Sequence, residues 1–201
     1  MSQYLVPAAT CEVEETIKKS RFITRLIPVQ NSQQAKQIIA EIKQEFKDAR
    51  HHCSAFVAGA PHDSNQYGFS DDGEPSGTAG KPMLAVLQGS GLGHVLAVVV
   101  RYSGGIKLGT GGLVKAYGGG VKQALEVLQT QLKVEKQIFT LDCSYSQWEQ
   151  IQYWLAQEDG EIVNAEYTQS VQLQLALSVT NSENLNTRLR DMQLSLKALK
   201  S

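Results

Sequence analysis

His94–Leu128 reads HVLAVVVRYSGGIKLGTGGLVKAYGGGVKQALEVL. Its aliphatic run, Val95 to Val100, suits a strand covered on both faces and is far too short to span a bilayer. Ser103 to Gly112 is a glycine loop. Leu113, Tyr117, Val121, Ala124 and Leu128 then recur at helical spacing, with Thr110 placed to cap the helix. Strand, bare loop and helix in succession describe an α/β unit. Gly118–Gly120 interrupts the helix at ~1 kcal/mol per glycine relative to alanine. Two explanations fit: the helix backbone presses on a neighbour, or a ligand touches it.

Upstream, residues 10–17 and Arg21 to Val29 read as a hairpin turning at Lys18-Lys19-Ser20. Asn31 or Ser32 caps a helix with Ala35, Ile38, Ile39, Ile42 and Phe46 on one face, and His51 to Gly59 resumes as strand. Residues 60–80 are dense in turn formers and read as loop, before a short helix at Met83 to Leu87. Downstream, 130–136 reads as a connection, 138–143 as a strand, and 146–157 as a helix with Trp148, Ile151 and Leu155 inward. Strand 161–167 follows, then 171–179 with Val171, Leu173, Leu175, Leu177 and Val179 alternating inward. Asn181 can cap a last helix carrying Leu185, Leu189 and Met192, and a short strand near Leu196 completes a ferredoxin-like order. The expected domains are 1–132 and 133–201.

The 201 residues hold 19 Lys/Arg against 20 Asp/Glu, so any binding of polyanions has to be local. Positive charge is indeed concentrated. Sixteen of the 17 glycines lie between Gly59 and Gly120, and residues 75–125 contain Lys81, Arg101, Lys107, Lys115 and Lys122 but no acid. Bare N–H groups beside cations suit an anion. Hydrophobic content of 42% supports a packed core. The start, MSQYLVPAATCEVEE, lacks the apolar core of a signal peptide, so a cytoplasmic protein without membrane association is expected. Cys11, Cys53 and Cys143 are odd in number and widely spaced, which implies no disulfide framework.

The expected anion or nucleic-acid surface comprises Arg101, Tyr102, Gly104, Gly105, Lys107, Gly109, Thr110, Gly111, Gly112, Lys115 and Tyr117, with Lys122 on nearly the same helix face as Lys115. A second loop, Asp71 to Pro82, contributes Asp71, Asp72, Gly73, Glu74, Pro75, Gly77, Thr78, Gly80 and Lys81. Its acids suit a divalent cation, general acid–base work, caps for local turns, or pairing with Arg101 or Lys81. Gly77-Thr78-Ala79-Gly80-Lys81 lacks the Walker spacing, and Gly89-Ser90-Gly91-Leu92-Gly93 precedes a strand where a dinucleotide fingerprint follows one. His51, His52, Cys53 and His62 match no zinc spacing, and no metal or cofactor is expected. Lys18, Lys19, Arg21 and Arg25 form another basic cluster, which either extends an RNA-binding face with Tyr102 and Tyr117 as stacking platforms or guards a strand edge.

DDGEPSGTAGKP at 71–82 and VVVRYSGGIKLGTGGLVKAY at 98–117, preceded by RFIT and ARHHC, resemble the paired motifs of the YigZ/IMPACT family in its bacterial two-domain form. The resemblance implies an Impact N-terminal domain of α/β type, similar to domain IV of elongation factor G with a left-handed βαβ crossover. It also implies a ferredoxin-like second domain similar to domain V, making the chain α+β overall. Eukaryotic relatives act in translational control, where they compete for the activator of an initiation-factor kinase. Ser103 stands where the family motif usually has an aromatic residue. The leading expectation is a non-enzymatic, translation- and stress-related regulator contacting RNA or the ribosome. Two alternatives stay open: an enzyme acting on a phosphorylated small molecule or nucleotide through Asp72 or Glu74, and a protein-interaction module in translation control.

Overall fold

The computed structural model describes residues 3–199. They fall into two compact units, Tyr4–Lys133 and the chain from Val134 onward together with Gln3. Gln3–Pro7 (β1) pairs with Thr130–Val134 (β7). The first unit is built on five strands in the order Cys11–Ile17 (β2), Ser20–Pro28 (β3), Val95–Tyr102 (β6), His51–Val57 (β4) and Tyr67–Ser70 (β5), each antiparallel to its neighbours. Because β3 and β4 both run against β6, they are parallel to one another, and Ser32–Glu45 (α1) crosses between them. Asn31 caps α1, its side chain accepting the Gln34 N–H.

One sheet face packs Ile23, Leu96, Val98 and Val100 against Ala35 and Ile42 of α1. The other packs Phe22, Leu26, Cys53, Val95, Ala97 and Val99 against Gly80–Ser90 (α2) and Thr110–Val127 (α3). Covering on both sides is why β6 is aliphatic without alternation. A Cβ on Gly120 would lie 2.5 Å from Thr24 Oγ1 on β3, whereas one on Gly119 would meet nothing within 4 Å. Close helix–sheet approach therefore accounts for one glycine of the triplet.

The second unit runs Gln137–Cys143 (β8), Tyr145–Gln157 (α4), Glu161–Tyr167 (β9), Val171–Leu177 (β10), Val179–Leu189 (α5) and Lys197–Ala198 (β11). The sheet order β11-β8-β10-β9, antiparallel throughout, is the ferredoxin-like arrangement. Ile151, Leu155, Leu185 and Leu189 of the helices bury Phe139, Leu141, Leu173 and Leu175.

Local expectations differ from the fold in six places. Residues 3–7, for which no element is expected, form strand β1 with Tyr4 and Val6 buried. Residues 67–70 form edge strand β5 instead of loop, with Gly68 lying directly over the Phe56 ring. Residues 130–134 form strand β7 instead of a plain connection, and α2 begins at Gly80 instead of Met83. The N-cap of α3 is Gly109 and not Thr110, with no side-chain cap. Ser178, not Asn181, caps α5, so Val179 opens that helix and is exposed instead of ending β10. Among the described residues, no helix is long and apolar enough to cross a membrane.

Candidate anion-binding site

The antiparallel register brings three chain segments to one end of the first sheet. Arg21 at the start of β3 faces Tyr102 at the end of β6, and His51 at the start of β4 faces Arg101. The β2–β3 turn, the glycine loop after β6 and the chain entering β4 therefore border one another. The Asp71–Glu74 turn joins them: Asp72 accepts the His52 backbone N–H at 2.7 Å and pairs with Lys43 at 2.6 Å, while its carbonyl oxygen lies 2.9 Å from His51 Nδ1.

Beneath this surface the two glycine-rich motifs are tied by buried charge. Arg101 Nη1 and the Tyr117 hydroxyl both donate to Glu74 Oε1 at 2.6 Å, with all three residues buried. Arg101 Nη2 reaches Ser20 Oγ at 3.4 Å, and the same oxygen accepts the Gly104 N–H at 3.2 Å. A guanidinium taken from water needs an anion against it, and Glu74 supplies one from 27 residues away. Arg101 and Tyr117, expected to face a ligand, are thus committed inward.

The amides of the second loop are committed as well. Asp71 accepts N–H bonds from Gly77 at 2.8 Å, Ala79 at 3.0 Å and Gly80 at 2.8 Å, filling with its own carboxylate the N-terminal position that an external anion would take. Partial burial pushes this carboxyl up, but the N–H donors of Gly77, Gly80 and Ala79 together outweigh it and hold Asp71 below the usual carboxylate range. Thr78 is buried and donates to the Pro75 carbonyl. Gly73 and Gly77 have positive φ, Pro75 is exposed, and Lys81 is exposed on the first turn of α2. Cys53, below this turn, donates to the Asp71 carbonyl, and burial pushes its thiol up to about 12, opposite to what a nucleophile requires.

The loop after β6 is different. Gly105, Ile106, Lys107, Gly109, Thr110 and Gly111 are exposed, and among the described residues no N–H from Ile106 to Gly109 donates to another part of the chain. The first turn of α3, at Thr110, Gly111 and Gly112, has no side-chain acceptor either. Such N–H groups, at the positive end of an 18-residue helix, favour negative charge. Lys107 and Lys115 are exposed, and among the described residues neither joins an ion pair. Tyr102 is half-buried, with the Arg21 guanidinium 5.7 Å over its ring.

The structure adds three cations that the glycine motifs do not contain. A Cβ on Gly104 would sit 2.0 Å from the Lys19 carbonyl oxygen, so the Lys18–Lys19 turn lies directly against the glycine loop. Both lysines hold positive φ, 47° and 64°, in a two-residue hairpin, the type I′ geometry that Asn-Gly ordinarily occupies. Arg50, exposed just before β4, is the third. Adjacent Lys18 and Lys19 were legible as a basic cluster; their junction with Gly104 depends on strand pairing and had no sequence signal. Arg21 and Arg25 of that cluster are neutralised, by Glu14 and by Glu12 with Glu45.

Residues 18–125 match the Impact N-terminal domain family, and residues 141–192 match a family described as "Domain of unknown function (DUF1949)". The chain is 55% identical to IMPACT family member YigZ of Escherichia coli (strain K12) over 95% of this chain and 94% of that protein. It is 51% identical to an IMPACT family member of Haemophilus influenzae, covering 95% and 93%, and 38% identical to YvyE of Bacillus subtilis, covering 83% and 73%. A crystal structure of a hypothetical protein superposes with a TM-score of 0.82 at 53% identity, covering 100% of this chain and 99% of that one. With both domain families present in this order and full-length relatives at this identity, the chain belongs to the IMPACT family.

Proposed function

We propose that this protein is a non-enzymatic cytoplasmic regulator of translation that binds RNA, free or in the ribosome, through the Gly104–Gly112 loop. The observation that carries the reading is the exposed, uncapped glycine loop at the start of α3, bordered by Lys18, Lys19, Lys107 and Lys115, none of them in an ion pair among the described residues. The charge distribution agrees: Tyr4–Lys133 holds 14 Lys/Arg against 11 Asp/Glu, and the chain from Val134 holds 5 against 9. The link to translation comes from the family resemblance. Against the enzymatic alternative, Asp72 and Glu74 are each engaged with a cation of the fold.

Four lysine–phosphate contacts correspond to a slope of about −3 to −4 in log K against log salt. Titrating the full chain into labelled structured RNA at several salt concentrations measures it. Lys107→Glu with Lys115→Glu reduces the slope by about 2 and weakens binding at low salt. Absence of RNA binding at low salt, or binding unchanged by that double substitution, refutes the reading.

A further inference from the structure

We infer that the ligand of this surface is the sugar–phosphate backbone of double-helical RNA and not the bases of a single strand, an inference that rests on the RNA-binding reading above. Proteins that hold single strands offer aromatic faces on which bases stack, whereas duplex RNA hides its bases and presents phosphates and 2′-hydroxyls. At this end of the sheet neither tyrosine ring is free, and His51 is half-buried with its Nδ1 2.9 Å from the Asp72 carbonyl oxygen. Tyr117 is fully buried, its hydroxyl on Glu74 and its ring edge-on to Phe22 at 5.5 Å. Tyr102 lies under the Arg21 guanidinium, and the next residue is Ser103. The exposed ring of Phe69 faces Ala55, four residues along β4 from His51, or about 13 Å at strand spacing.

The cations point the same way. A guanidinium fork is a common reader of base edges, and Arg21, Arg25 and Arg101 are each held by carboxylates, leaving Arg50. Lys18, Lys19, Lys107 and Lys115 are point charges on flexible stems, and their contacts to phosphate carry no sequence information. Holding two lysines at positive φ is unfavourable for residues with a Cβ, and the conformation fixes both at a turn pressed on the glycine loop. The Lys18–Lys19 turn and the bare amides of the glycine loop thus lie side by side, a chemistry suited to phosphates.

The test is fluorescence anisotropy with the full chain at low salt, using a labelled RNA duplex of about 16 base pairs or more and each of its strands separately. The duplex is expected to bind about tenfold or more tightly than either strand, and duplexes of unrelated sequence to bind alike. Lys18→Asn with Lys19→Gly, which suits the turn, lowers duplex affinity about tenfold, and Phe69→Ala leaves it unchanged. A single strand binding as tightly as the duplex, or duplex affinity lost in Phe69→Ala, overturns the inference while RNA binding stands. If neither RNA form binds, the inference and the reading beneath it fall together.

Discussion

Replacing Glu74 by alanine isolates what holds the two glycine motifs together. The substitution leaves the Arg101 guanidinium, whose side chain is 9% exposed, without its anion and strips the Tyr117 hydroxyl of its acceptor. Removing one partner of a buried ion pair costs about 3–5 kcal/mol, and an orphaned buried hydroxyl about 1–3, the two overlapping because one oxygen serves both donors. The expected loss is roughly 3–5 kcal/mol, a fall of ~1–3 M in the urea midpoint of the first unit. Both tryptophans, Trp148 and Trp154, lie in α4, so tryptophan fluorescence follows the second unit. Hydrogen exchange at the β6 amides follows the first. A companion variant, Glu74→Leu with Arg101→Met and Tyr117→Phe, replaces the whole network with apolar groups and is expected to recover most of the loss. A Glu74→Ala protein within about 1 kcal/mol of the parent, or a triple variant no better than it, would show the network not to be the structural tie described.

Three other outcomes follow from the same geometry. Gly120→Ala is expected to destabilise by about 1–3 kcal/mol through the 2.5 Å clash with Thr24 Oγ1, while Gly119→Ala, with nothing within 4 Å, stabilises by up to ~1 kcal/mol; urea midpoints compare them. Asp71 ionises at lower pH in the fold than its ordinary value of 3.8, so the stability it contributes is complete above that value and is lost as pH falls through the folded one. Asp71→Asn therefore lowers stability at neutral pH and flattens this acid-side loss, read from urea unfolding from neutral pH down to about pH 2. Lys18→Asn with Lys19→Gly relieves two non-glycine positive-φ positions and raises first-unit stability by about 1–2 kcal/mol, although it weakens RNA binding; a stability loss would contradict the turn assignment.

Burial on a defined face writes a period into the chain, and wherever that held the elements were legible. The β6 run, the α1 stripe and the alternation of Val171 to Leu177 needed no coordinates, and neither did the ferredoxin-like order of the second unit. Of the strands that escaped notice, β5 and β7 carry mostly half-buried or exposed residues and so have no apolar period to display, whereas β1 alternates Tyr4 and Val6 inward over only five residues, too short a run to mark a strand. The caps of α3 and α5 turned on backbone position by one to three residues, which composition does not resolve.

At the site, the sequence alone determined that glycine and uncompensated positive charge coincide between residues 75 and 125. Which of those charges and amides remain available was decided in three dimensions. Arg101 is taken by Glu74, the Gly77–Gly80 amides by Asp71, and the Lys18–Lys19 turn is delivered to Gly104 by the pairing of β3 with β6. Charge pairing and hydrogen bonding depend on separations of a few ångström through space, and the residues involved stand up to 85 positions apart along the chain.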